Sequence, residues 1–167
     1  MDTDIDELHN TFRPRRVKVL FVGESSPAQG RNFYLANSIL YRATQAAFAE
    51  AFGSDVTPSG QSFLRYFATK GFWLVDLADR PVNQIDPKER RQAVDAGIPR
   101  LAELIRETRP KHIVVIKKDI TAAVAQAIEL AGAKPPRVLA LRYPLRQWRA
   151  EYVHDLATFI RDVFKQP

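Results

Sequence analysis

Short, uninterrupted apolar runs alternate along this chain with longer stretches whose apolar residues recur every three or four positions. Val17–Val22 is apolar and β-branched apart from Lys18, and it ends at Gly23 in a loop of small and polar residues, which predicts a strand. Leu35–Ala51 follows with Ile39, Leu40, Ala43, Ala47, Phe48 and Ala51 at helical spacing, and Gly53 is its stop signal. Ser62–Thr69 reads as a short helix, Phe72–Leu77 as a second strand, and Ala78–Pro87 as a loop. Pro87–Glu107 predicts one or two helical pieces interrupted near Gly97–Pro99, and Pro110 ends them. His112–Ile116 is a third strand, Thr121–Ala131 an alanine-rich helix stopped by Gly132, Arg137–Leu141 a fourth strand, and Trp148–Phe164 the last helix. Continuous rather than alternating apolarity in the strands implies burial on both faces. The expectation is therefore an α/β protein, a three-layer α/β/α sandwich around a four-stranded parallel sheet, with ligands at the strand C-termini.

Composition narrows the picture. A chain of 167 residues with 46% hydrophobic and 26% charged residues fits one soluble domain, here residues 13–167, with the first dozen residues expected as a mobile tail. There is no cysteine, so neither a disulfide framework nor a thiolate-held zinc or iron–sulfur site is available. His9, His112 and His154 show no metal-binding spacing, and no metal or other cofactor is expected. Met1–Glu7 is acidic and lacks the pattern of a secretion signal, and no apolar run approaches the roughly 18 residues of a membrane span, which predicts a cytoplasmic, membrane-free protein. A net charge of +6 favours anionic partners, nucleic acid first.

In a parallel sheet all four strand-to-helix loops meet at one edge, and here they carry an unusual set. The first, Gly23 to Tyr34, holds Glu24, Ser25, Gly30 and the adjacent Phe33 and Tyr34. Glu24 just after a buried strand suits a general base with a pKa raised by burial, or an anion that stabilises a sugar cation; an ordinary helix cap or an ion pair with Arg31 is the competing role. Phe33 and Tyr34 suit a stacking wall for a flat base, with about one of them facing the pocket and the other packing the core. The loop matches neither G-x-x-x-x-G-K-[ST] nor G-x-G-x-x-G, so nucleotide-hydrolysing and dinucleotide readings are weak. The second loop supplies Asp76 and Asp79–Asn83, the third Lys117 and Lys118, and the fourth Arg142, Tyr143, Pro144, Leu145 and Arg146. Arg137, Arg142, Arg146 and Arg149 fall in one stretch without an acid, as a phosphate-tracking surface would. Lys117 and Lys118 either extend that surface or form a solvated strand end.

Together these loops resemble the uracil-DNA glycosylase superfamily, over nearly the whole chain from Val17 to Phe164. Val19–Pro27 looks like that superfamily's first motif, a buried strand ending in glycine and a catalytic loop, and Phe33–Tyr34 lies where its base-stacking aromatic is expected. Leu77–Pro81 is similar to the second-strand loop of the mismatch-specific branch, and Arg142–Leu145 stands where the family has its minor-groove loop. The resemblance implies a monomer that acts on DNA, flips a deaminated or damaged base from it and hydrolyses the N-glycosidic bond with water. It gives Glu24 and Ser25 the catalytic place, and Phe33 or Tyr34, Asp76 and Tyr143 the base. Arg142, Arg146, Lys117 and Lys118 would meet phosphate, with Leu145 as a wedge in the duplex. This sequence departs from the pattern in three places. Ser25 stands where most branches have a water-orienting Asp or Asn, Leu141 or Arg142 where a His or Asn heads the second motif, and Asp76 near an Asn that reads the pyrimidine edge. An ionised Asp76 accepts hydrogen bonds only and would favour a base edge rich in donors, and Arg142 is the group left to stabilise a departing base anion.

The same departures keep a second class open, a nucleic-acid or nucleotide-binding protein that cleaves nothing. Hydrolysis of a free nucleoside or modified nucleotide is a third, though it leaves the arginine-rich fourth loop without a role.

Overall fold

In the computed structural model, which describes residues 5–27 and 30–165, four strands form one all-parallel sheet in the order β2-β1-β3-β4. They are β1 (Val19–Gly23), β2 (Phe72–Asp76), β3 (His112–Ile116) and β4 (Arg137–Leu141). Among the described residues seven helices surround them: α1 (Ile5–Thr11), α2 (Ile39–Phe52), α3 (Gly60–Thr69), α4 (Pro87–Ala96), α5 (Ile98–Thr108), α6 (Thr121–Ala131) and α7 (Arg149–Val163). Residues 1–4 of the expected tail, Ala28 and Gln29 of the first loop, and residues 166–167 lie outside the described residues.

Why this order arises follows from the handedness of strand–helix–strand connections. The β1-to-β2 crossover runs one way along the sheet and the later crossovers run the other, so right-handed connections send their helices to opposite faces. The helices pair accordingly, α2 with α7 and α5 with α6, as in a three-layer α/β/α arrangement. All five residues of β1 are buried, as its unbroken apolar run requires. The direction of crossover reverses at β1, and at such a point the loops diverge and leave a crevice at the strand C-termini. Among the described residues no helix is long and apolar enough to cross a membrane.

Several boundaries differ from the sequence expectation, each for a local reason. The second helix starts at Ile39 instead of Leu35 because Phe33–Leu35 is a separate 3-10 turn, capped by Asn32 and closed by Ala36 in the left-handed region at φ 57°. Ser38 then caps α2 through Tyr41 N at 3.0 Å. The last helix starts at Arg149 because Arg146–Trp148 forms another 3-10 turn. Within the expected tail, α1 packs against the sheet, with Trp73 Nε1 donating to His9 O at 2.9 Å and buried Phe12 stacked on Tyr34 at 5.6 Å.

Candidate active site

At the C-terminal edge of the sheet a cavity of about 340 Å³ opens over β1, β2 and β3. Glu24, Ser25, Phe33, Asp76, Lys117, Tyr143 and Leu145 all line it, so seven of the eleven residues singled out in the sequence converge.

Glu24 is the most constrained of them. Arg90 donates Nε to Glu24 Oε2 at 3.1 Å and Nη2 to Oε1, and Lys117 Nζ donates to Oε1 at 3.1 Å. Burial pushes the Glu24 carboxyl up, yet the hydrogen bonds from Arg90 and Lys117 outweigh it and hold the group below the ordinary range. This reverses the sign expected from burial alone: Glu24 is a fixed carboxylate with little appetite for a proton. Its ion-pair partners are Arg90 and Lys117, not Arg31. Lys117 reaches it from a strained backbone at φ 95°, a region that few non-glycine residues occupy.

Asp76 takes the opposite course. Its carboxylate lies against the β1 backbone, where a Cβ on Gly23 would stand 2.5 Å from Oδ1, so the glycine of this loop is a matter of space. Burial pushes the Asp76 carboxyl up to about 6, against the opposing hydrogen bond from Ser26 and the charge of Arg100. Ser26 Oγ donates to Asp76 Oδ2 at 3.1 Å and accepts from Asn32 Nδ2 at 3.2 Å, while Asn32 Oδ1 accepts from Tyr34 N at 2.8 Å. One carboxylate that stays charged and one that titrates near neutrality therefore share a cavity, a division suited to acid–base work.

The remaining candidates sort by place. Ser25 Oγ accepts from Val82 N at 3.4 Å and ties the first loop to the second, which suits positioning more than chemistry. Of the adjacent pair of aromatics, Phe33 lines the cavity. Tyr34 is core, 1% exposed, and its hydroxyl is taken up by Leu74 of β2. Burial, with the charge of Asp76, raises the Tyr143 phenol. Leu145 is 45% exposed at the rim. Lys118, Arg142 and Arg146 are exposed and do not line the cavity. Arg142 lies 4.0 Å from the Trp148 ring centre and 4.0 Å from Glu151 Oε2, so α7 supplies the acid that the loop sequence lacks. Among the described residues no three His, Asp or Glu side chains are grouped as metal ligands.

No family model matches the chain, and no curated protein matches its sequence. The site must therefore be read from its own geometry.

That geometry adds three residues which the sequence left unmarked. Ser26 and Asn32 hold Asp76, and their signal was present only as polar residues in the first loop. Arg90 had no separate signal: it stands next to Arg91 in a charged helix, and only the packing of α4 against this edge distinguishes the two.

Proposed function

We propose that this chain is a uracil-DNA glycosylase-like enzyme that hydrolyses the N-glycosidic bond of a deaminated or damaged base in DNA. The observation that carries the reading is the presence, in one cavity at the sheet edge that Phe33 also lines, of an ionised Glu24 and a titrating Asp76. A flipped base stacks on Phe33 and presents its edge to Asp76, while Leu145 fills the space it leaves in the duplex. Water attacks the anomeric carbon as the carbon–nitrogen bond breaks, the bonding electron pair leaves with the base, and the proton that the water sheds ends on the departing base. Glu24 orients that water and stabilises the positive charge developing on the sugar; its lowered pKa makes it a poor proton acceptor. Lys117, with donors beyond the one given to Glu24, replaces Arg142 as the group that stabilises the departing base anion.

The test is abasic product from oligonucleotides bearing uracil, hypoxanthine or xanthine, single- and double-stranded, at enzyme excess. Product with at least one base supports the reading, and none with any of them overturns it. A second reading, binding without cleavage, is favoured by one observation: Arg90 and Lys117 already occupy both oxygens of Glu24. Glu24→Gln separates the two, since an enzyme loses turnover while keeping affinity.

A further inference from the structure

The arginines that look continuous in the fourth-loop sequence are divided by the fold. Arg137 opens β4 and Arg142 follows its end, so five residue steps of roughly 3.3 Å place them at opposite poles of the sheet, about 16 Å apart. At the C-terminal pole three cations are already engaged, Arg90 and Lys117 by Glu24 and Arg142 by Glu151 and Trp148, beside the exposed Lys118 and Arg146. The N-terminal pole is different.

There a depression of about 840 Å³ lies between the start of β3, the start of β4 and the ends of α5 and α6. Arg109, Lys111, Lys134 and Arg137 line it, and no carboxylate does. All four are exposed, and none of their side chains has a hydrogen-bond or ion-pair partner among the described residues. Arg106 shares the depression but is spent on Glu103 and on the Leu130 and Ala131 carbonyls. The backbone fixes the spacing: Lys111 N donates to Lys18 O and Arg137 N to Lys111 O, both at 3.0 Å, so Lys18 just before β1, Lys111 just before β3 and Arg137 at the start of β4 follow one another at about the 4.8 Å spacing of neighbouring strands. Arg109 is set beside them by its left-handed backbone at φ 46°.

Unneutralised like charges within a Debye length repel one another and are relieved by a polyanion. The depression is concave, and none of the large exposed apolar side chains lines it. A bilayer surface is flat and rewards apolar insertion, so these features favour an extended phosphate chain. We propose that the N-terminal pole of the sheet is a nucleic-acid-binding face, seating an undamaged segment of phosphate backbone across Arg109, Lys111, Lys134 and Arg137. It is separate from the cavity and does not depend on base excision there. Two poles that each hold a strand let the protein stay on nucleic acid while the cavity is empty.

The experiment uses the full chain and undamaged, fluorescein-labelled 20-mers, with anisotropy followed across a KCl series. In Arg109→Gln/Lys111→Gln/Lys134→Gln/Arg137→Gln the log–log salt slope should become shallower by about 2–4 and affinity at low salt should fall at least tenfold. The pair Arg109→Gln/Lys134→Gln should give about half that change, and serves if the fourfold variant does not fold. A control with Arg42, Arg65, Lys88 and Arg91 changed to Gln should move the slope clearly less. Equal effects of pole and control variants overturn the proposal. So does unchanged DNA binding, including the case where binding to phosphatidylglycerol vesicles is lost instead. Excision is not scored, so failure here is distinguishable from failure of the glycosylase reading.

Discussion

The hydroxyl of Tyr34 stands 2.9 Å from the carbonyl oxygen of Leu74 and 2.8 Å from its amide nitrogen, donating to the first and accepting from the second. Leu74 is in the middle of β2, an outer strand of the sheet, so one phenol satisfies the backbone groups that the missing neighbour strand would have paired. Tyr34→Phe removes both bonds and leaves a buried N–H and C=O behind. Stability should fall by about 1–3 kcal/mol, seen as a lower urea midpoint with an unchanged slope, while the cavity stays intact.

Asp76→Asn should reveal a pH-dependent cost. The folded carboxyl titrates at about 6 and the ordinary value is 3.8, so between those values the folded chain holds a proton that the unfolded chain has lost. Stability contributed by Asp76 therefore decreases as pH rises through this window and stays reduced above it. Urea titrations should find Asp76→Asn more stable than wild type at pH 8, by about 1–3 kcal/mol, with the difference vanishing near pH 4.

Glu24 has the opposite sign. Its folded pKa lies below the ordinary 4.5, so its stabilisation is present above that value and is lost as pH falls through the folded pKa. Glu24→Gln leaves Arg90 and Lys117 together without their anion, and should cost about 1–3 kcal/mol at pH 7. Excision should drop at least a hundredfold, with DNA affinity retained.

Two glycines should respond differently to alanine. A Cβ on Gly97 would stand 1.8 Å from the Leu77 carbonyl oxygen, a backbone clash that should cost about 2–4 kcal/mol in thermal or chemical unfolding. On Gly23 the Cβ meets the Asp76 carboxylate, which can swing away at the expense of its Ser26 bond. Gly23→Ala should fold nearly as well as wild type and lose most excision.

The alternation of strands and helices was readable because buried parallel strands are written as unbroken apolar runs; β3, β4 and α6 have the bounds that their sequences predict. Convergence of Glu24, Asp76, Lys117 and Tyr143 was readable too, since parallel order alone brings strand ends together. What the sequence could not carry was pairing across elements. Nothing local distinguishes Phe33 from Tyr34, Arg90 from Arg91, or an Arg142 open to phosphate from one resting on Trp148. Nor does a short charged segment announce that His9 O will receive the indole of Trp73.

The two edges of the sheet have unequal fates. On β2, Tyr34 covers Leu74 and Arg100 donates to the Asp76 carbonyl at 2.9 Å, whereas β4 carries Val138 47% exposed. The Leu74 N–H and C=O are thus withheld from any added strand, which blunts the β2 edge at its centre.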